Sequence, residues 1–188
     1  MFERYLIENC SPTLASLKTA NLFRYRYDRE DELKESVEKW NDRFAAKGVS
    51  VEILYQTKGW ALVYVYRRIA LDRDLHRDGV EPLLARCGYE VIESVESVEN
   101  AIAYLKTRLQ VKGSFPHEIG LFLGYPVEDV IGFMENRGHN SKCTGYWKVY
   151  GDAAEAGRTF ARFRKCQDVY GRLWKEGRRS VLQLTVAV

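Results

Sequence analysis

The loop Asn136–Cys143 gathers more chemically competent side chains than any other stretch of this sequence. It holds a guanidinium (Arg137), an imidazole (His139), an ammonium (Lys142), two amides, a hydroxyl and a thiol. Arginine can bind a phosphate or carboxylate in bidentate fashion, and lysine adds a point charge. The loop therefore predicts a site for a small anionic ligand, although a solvated connector would also be polar and contain glycine. The candidate ligand-binding residues here are Asn136, Arg137, Asn140, Lys142 and Trp147.

A second stretch with possible chemistry lies near the N-terminus, where Cys10 precedes Pro12 and Lys18. A short helix starting near Pro12 and containing Lys18 would place the thiol at a helix N-terminus, where the dipole favours the nucleophilic thiolate. If the fold brought Cys10 and Cys143 together, they could act in redox or nucleophilic chemistry with His139 as proton carrier. These three are the candidate catalytic residues, and Lys18 joins the ligand-binding candidates. Free cysteines are more often small buried hydrophobes, which is the alternative.

Recognisable metal and cofactor motifs are missing from the sequence. His139 and Cys143 have a spacing that zinc ligands can adopt, but no second pair of ligands follows. There is no phosphate-binding loop, dinucleotide fingerprint or nucleophile-elbow motif. The sequence thus predicts no metal site, identifies no cofactor and leaves open whether the protein is an enzyme.

Two predicted helical regions support an alternative function, a binding module without catalysis. The segment Ile119–Phe133 has helix-turn-helix spacing, which an ordinary pair of packed helices explains more simply. Its second helix is predicted to expose Glu128, Asp129 and Glu135, and these carboxylates would repel DNA phosphates. The helix pair 117–137 is therefore a candidate surface for a protein partner.

The last predicted helix, from about Asp152 to Lys175, carries a basic stripe opposite its apolar one. The stripe consists of Arg158, Arg162, Lys165 and Arg172. It could bind a polyanion, or it could be a solvated face whose arginine stems cover apolar surface. With 29 basic and 26 acidic residues, the net charge of +3 does not require a nucleic-acid partner. The charges favour a small anionic ligand or a protein partner over nucleic acid.

Hydrophobic periodicity predicts the elements that must position these residues. The strand patterns predict an antiparallel sheet of about three to four strands, covered by helices and followed by a mostly helical C-terminal half. The segment Trp60–Tyr66 is apolar on both faces, which predicts a strand buried on both sides. The predicted strands are Asn21–Tyr27, Val49–Thr57, Trp60–Tyr66 and, as the fourth, Tyr146–Tyr150. The predicted helices are Asp28 to Gly48, Val80–Arg86, a longer one capped by Ser97, His117–Leu123, Pro126–Arg137 and the last helix. The fold class is therefore α+β.

Size and composition predict one domain covering residues 1–188, with a possible division into sheet-rich residues 1–68 and mostly helical residues 69–188. No stretch approaches the roughly 18 apolar residues of a membrane helix. The N-terminal apolar run contains charges, which argues against a signal peptide. The four cysteines are scattered, as expected for reduced thiols. These features predict a cytoplasmic protein with no membrane partner.

Two blocks of the sequence resemble a bacterial family catalogued as domain of unknown function 3793. The first block runs from Cys10 to Ala15 and continues with Lys18 and Asn21-Leu22-Phe23. The second runs from Phe115 to Pro126 and continues through Glu128-Asp129-Val130 and Asn136-Arg137-Gly138 to the segment Gly145–Asp152. The resemblance covers nearly the whole chain. It implies a self-contained bacterial domain and supplies no catalytic residues.

Together these observations favour a cytoplasmic protein that binds a small molecule or anionic ligand, with a possible thiol-dependent activity. The alternative is a non-enzymatic module that binds a protein or nucleic acid through the basic last helix or the helix pair 117–137.

Overall fold

The computed structural model describes residues 1–90, 95–111, 113 and 115–187. The chain forms two compact units. The first unit contains Met1–Ala70 and Lys165–Val188, and the second contains Leu71–Arg164. The first boundary lies close to the predicted division between residues 68 and 69, but the last segment of the chain belongs to the first unit. The single-domain assignment stays a prediction.

The first unit is built on a three-stranded antiparallel sheet with strand order β1-β3-β2. Its elements are α1 (Phe2–Leu14), β1 (Ala20–Arg26), α2 (Glu30–Phe44), a 3-10 turn (Ala45–Lys47), β2 (Val49–Thr57) and β3 (Trp60–Arg67). The short helix Val181–Leu184, α9, also belongs to it. Helices and an antiparallel sheet confirm the α+β prediction.

Side-chain alternation gives the sheet an inner face that builds the core. Val63 and Val65 of β3 lie on this face beside Phe23 of β1 and Val51 of β2. Apolar residues of α1, α2 and α9 complete the cluster. On the opposite face of β3, Tyr64 is also buried. The prediction that this strand is buried on both sides is therefore confirmed over most of its length.

The first helix differs from the prediction of a short helix starting near Pro12. It begins at Phe2, and Pro12 lies in its last turn. Proline has no N–H to donate to the carbonyl four residues earlier, and that carbonyl, on Glu8, accepts the side-chain amide of Gln167 at 3.3 Å instead. The helix ends at Leu14, so Lys18 lies in the following turn rather than in a helix.

The second unit is mostly helical. It contains most of α3 (Arg68–Leu75), α4 (Val80–Arg86), α5 (Val95–Leu109), α6 (Ile119–Phe122), α7 (Val127–Glu135), β4 (Cys143–Thr144), β5 (Lys148–Val149) and the first half of α8 (Ala153–Lys175). The bounds of α8 confirm the predicted last helix. Within the described residues, none of the helices combines the length and apolar composition needed to cross a membrane.

Three predictions for this unit need correction. Ser97 lies inside α5 and is not its cap, because the helix begins at Val95. Pro126 is the N-cap of α7 rather than its first helical residue. The predicted fourth strand, Tyr146–Tyr150, shrinks to the two residues of β5, which pairs with β4 in a separate two-stranded sheet. Beyond β5, the backbone N–H groups of Tyr150 and Gly151 donate to the Asp129 side chain instead of continuing the ladder.

Candidate functional site

The strongest candidate site lies within the segment between α7 and α8, on residues 136–151, which we call the basic hairpin. It contains β4, β5 and the loop that the sequence predicted to bind an anion. Residues 136–151 include three Lys or Arg residues, Arg137, Lys142 and Lys148, and no Asp or Glu. The acidic residue that follows, Asp152, accepts the backbone N–H groups of Ala154 and Glu155 at the start of α8. The hairpin therefore carries a local positive charge in a chain whose charges nearly cancel.

A buried carboxylate, Asp129, anchors residues 147–151, which we call the far end of the basic hairpin. One of its oxygens accepts the backbone N–H groups of Tyr150 at 2.6 Å and Gly151 at 2.7 Å. The other accepts the indole N–H of Trp147 at 2.6 Å. Burying a carboxylate is costly unless donors replace its water, and these three donors do so. The prediction that α7 exposes Asp129 is wrong, since the residue is only 3% exposed.

Aromatic packing fixes the same region of the hairpin. The Trp147 ring stacks on Tyr125 with ring centroids 4.8 Å apart and meets Phe160 edge-on at 4.6 Å. At Gly145, a Cβ atom would collide with the Phe160 ring, so only glycine allows the backbone this close to α8. The predicted ligand-binding role of Trp147 thus competes with a clear packing role.

The near end of the basic hairpin is the predicted loop, Asn136–Cys143. Its backbone is also held by side chains of the hairpin. The Lys148 ammonium donates to the carbonyl of Gly138 at 2.6 Å, and the Tyr150 hydroxyl donates to the carbonyl of His139 at 2.9 Å. The Lys142 ammonium donates to the carbonyl of Gly151 at 2.6 Å. Arg137 has a positive φ of 49°, a conformation that side chains rarely adopt unless the surroundings impose it. The loop backbone is therefore held in one shape.

Three side chains of this loop have no polar partner among the described residues. Arg137, His139 and Asn140 are exposed, and among the residues that the structure describes their side chains form no hydrogen bond or ion pair. Asn136 differs, because its amide donates to the carbonyl of Gly132. The predicted ligand-binding residues therefore divide into Arg137 and Asn140, which can reach a ligand, and the structural residues Asn136, Lys142 and Trp147.

The cysteines do not behave as the thiolate hypothesis required. Cys10 is fully buried in the middle of α1, not at a helix N-terminus, and burial raises its pKa although the nearby Lys18 charge lowers it. Lys18 is itself buried and donates to the carbonyl of Ala20. Burial also raises the pKa of Cys166 to about 11. The reason for choosing Cys10 as a nucleophile, a depressed thiol pKa, is therefore lost.

Cys143 is half-buried and packs against the small cluster formed by Val149, Ala156 and Phe160. It belongs to the second unit and Cys10 to the first, so the structure does not bring the two into one compact unit. Among the described residues, no group of three or more His, Cys, Asp or Glu side chains could hold a metal ion.

The two alternative binding surfaces make local contacts within the protein. In the helix pair 117–137, α6 is a single turn, and a side chain at Gly120 would come within 2.8 Å of Val130. On the basic stripe, Arg158 pairs with Glu155 at 2.6 Å. Arg162 donates to the hydroxyl of Thr159. Binding of a macromolecular partner at these surfaces stays a prediction.

The family described as protein of unknown function (DUF3793) matches residues 6–185. The chain therefore belongs to this family, as its two blocks of resemblance predicted. No curated protein and no solved structure matches the chain.

Proposed function

We propose that this member of the family binds a small anionic ligand at the near end of the basic hairpin. The observation that carries the proposal is the pairing of a pinned backbone with three exposed polar side chains that have no partner among the described residues, those of Arg137, His139 and Asn140. Arg137 supplies a bidentate donor for a phosphate or carboxylate, and Asn140 supplies an amide donor. Because the loop is already ordered, binding costs little conformational entropy.

The charge around the loop supports the same conclusion. The ammonium of Lys148 donates to the carbonyl of Gly138, which is next to Arg137 in the chain. No acidic residue occurs between residues 136 and 151. An anion next to Arg137 would therefore meet positive charge from the hairpin itself. The proposed setting is the bacterial cytoplasm, which suits a protein whose four cysteines are free.

Inorganic phosphate and acetate are suitable first probes, since they separate a phosphate site from a carboxylate site. We expect phosphate to shift the backbone amide NMR signals of Gly138 and Asn140 in a saturable way, and sodium chloride at equal ionic strength to leave them in place. Arg137→Gln should weaken binding by roughly 10-fold or more, the usual effect of losing a charge-assisted hydrogen bond. Arg164→Gln is the matched control, because Arg164 is an exposed arginine of the same unit. Equal weakening by both variants, or no saturable shift, would contradict the proposal.

A thiol-dependent activity at this site would now rest on Cys143 and His139 alone. Cys143 is half-buried, so iodoacetamide at pH 8 should modify it before the buried Cys10 and Cys166. If His139 activates the thiol, His139→Ala should slow that modification several-fold, because the imidazole would no longer take the thiol proton. An unchanged rate would rule out the pair and leave a binding site without thiol chemistry.

A further inference from the structure

The outer face of the three-stranded sheet carries a second surface with distinctive chemistry, in the first unit. We call it the Trp60 patch. It consists of Arg24, Arg26, Tyr55, Lys58 and Trp60, at the end of the sheet where β2 turns into β3.

Strand register places these side chains on one face. Arg26 lies opposite Trp60, and Arg24 and Tyr55 lie on either side of Leu62. Residues directly opposite each other across strands point to the same side, as do residues two apart along a strand. Arg24, Arg26, Tyr55 and Trp60 therefore project from the face opposite the core, and Lys58 extends it at the turn.

The two rings of the patch contact each other, and Arg24 contacts one of them. The Arg24 guanidinium lies 4.1 Å from the centroid of the Trp60 ring. The Tyr55 and Trp60 rings are 5.5 Å apart and inclined at 46°. Both rings are half-buried, so each keeps a fraction of its surface accessible. The result is a partly exposed aromatic surface with a guanidinium stacked on it.

The Trp60 patch contains three cations and no acidic side chain of its own. Arg26 and Lys58 are exposed, and across the described residues neither forms a hydrogen bond or ion pair. The acidic residue on the same face is Glu52, which lies further along the sheet and accepts the Tyr66 hydroxyl at 2.8 Å. Asp28 follows two residues after the end of β1. The patch thus combines three cations with two aromatic rings on one end of the sheet face.

We propose that the Trp60 patch binds single-stranded nucleic acid. Bases stack on aromatic side chains and on stacked guanidinium groups, and phosphates bind nearby cations, so this polyanion matches both features of the patch. An acidic peptide would satisfy the cations but would leave the rings without a flat partner. Glu128 and Glu135, whose carboxylates would repel phosphates, belong to α7 of the second unit and not to this sheet face.

Fluorescence anisotropy with a labelled 15-nucleotide oligothymidylate and the full 188-residue chain tests the proposal. With about three phosphates neutralised, raising the salt from 50 to 200 mM should weaken binding by roughly 20-fold. Arg26→Gln removes one of these contacts and should reduce that factor to about 7-fold. Arg43→Gln is the matched control, because Arg43 is an exposed arginine that lies over another tryptophan ring of this unit, Trp40, at 5.2 Å. It should bind like the unmodified protein.

Base stacking is tested separately through tryptophan fluorescence. Oligothymidylate should quench the emission, and Trp60→Ala should abolish the quenching and weaken binding by about 10-fold, as expected for one lost stacking contact. Heparin, a polyanion without bases, should bind without quenching. Equal binding of heparin and oligothymidylate with no quenching would overturn the proposal in favour of a general polyanion surface. Absence of binding to either would overturn it outright, and Arg26→Gln keeps the test valid if Trp60→Ala fails to fold.

Discussion

Arg67 in the first unit and Asp129 in the second are both buried charged side chains, and both are satisfied mainly by the backbone. Arg67 is 2% exposed, and its guanidinium donates to the carbonyls of Thr13, Leu14, Lys47 and Val186 at 2.6 to 3.2 Å. Asp129 accepts two backbone N–H groups and one indole N–H. Neither forms an ion pair with another described residue.

The difference lies in what each charge holds together. Arg67 joins segments that are far apart in sequence, the end of α1, the 3-10 turn and the last residues of the chain. The carbonyls at the end of α1 are the negative end of that helix dipole, which favours a cation there. Asp129 instead joins residues 18 to 22 positions away within one segment. We infer that Arg67 stabilises a whole unit, whereas Asp129 fixes the shape of the basic hairpin.

Replacing Arg67 should have the largest effect on stability. Arg67→Met leaves four carbonyls without their donor, and we expect a loss of at least about 3 kcal/mol of unfolding free energy. Arg67→Lys keeps the charge but has a single ammonium that cannot reach all four carbonyls. Its unfolding free energy should therefore lie between those of the unmodified protein and Arg67→Met. Urea denaturation followed by circular dichroism measures both variants. A loss below about 1 kcal/mol for Arg67→Met would mean that water replaces the guanidinium and that the residue does not hold the unit together.

Replacing Asp129 should have a smaller effect that is confined to the second unit. Asp129→Asn keeps the size of the side chain but turns one acceptor into a donor that faces N–H groups. We expect a loss of about 2 kcal/mol, with weakened phosphate binding at the hairpin. The neighbouring Glu128→Gln is the control, because Glu128 is exposed and should change stability by less than about 0.5 kcal/mol. Equal effects of the two variants would contradict the anchoring role.

Alanine substitutions at two helix glycines distinguish the effect of hairpin packing on stability from the general effect of adding a methyl group to a helix. At Gly132 in α7, a Cβ atom would collide with the Tyr150 side chain, whereas at Gly157 in α8 nothing lies within 4 Å. Gly132→Ala should therefore cost about 1 to 3 kcal/mol through overpacking. Gly157→Ala should stabilise the protein by up to about 1 kcal/mol through helix propensity. Thermal melts of both variants make the comparison, and a stabilising Gly132→Ala would show that the hairpin can move away from α7.

Local patterns predicted most of the fold because their causes are local. The alternation in Val49–Thr57, the apolar run Trp60–Tyr66 and the helical spacing after Asp28 depend on neighbouring residues, and the structure confirms these elements. The predicted start of α1 is wrong because Pro12 is typical of a first helical turn, and here it lies in the last one. The pattern of Tyr146–Tyr150 resembles a strand, but close packing at Gly145 and the hydrogen bonds of Asp129 determine that segment instead.

The candidate site was predictable by composition and not by geometry. The loop Asn136–Cys143 stands out because its charged and amide side chains are adjacent in sequence. The roles of Lys142 and Asp129 depend on backbone groups of residues 150 and 151, which no local pattern connects to them. The signal in the sequence was the glycine and aromatic content of residues 145–151. Glycines beside aromatic rings indicate close backbone packing, and the backbone N–H groups buried by that packing need an acceptor such as Asp129.

Replacing Arg137 should have the smallest effect on stability, in contrast to replacing Arg67. Arg137 is exposed and makes no side-chain hydrogen bond or ion pair in the stretches of chain that the structure describes. Arg137→Gln should therefore leave the urea midpoint unchanged while it weakens phosphate binding by roughly 10-fold or more, because a guanidinium without a partner among the described residues contributes affinity rather than stability. Parallel denaturation and NMR titration of the same sample separate the two. If Arg137→Gln destabilises the protein as Asp129→Asn does, the loop depends on this arginine for its shape, and its positive charge is structural rather than available to a ligand.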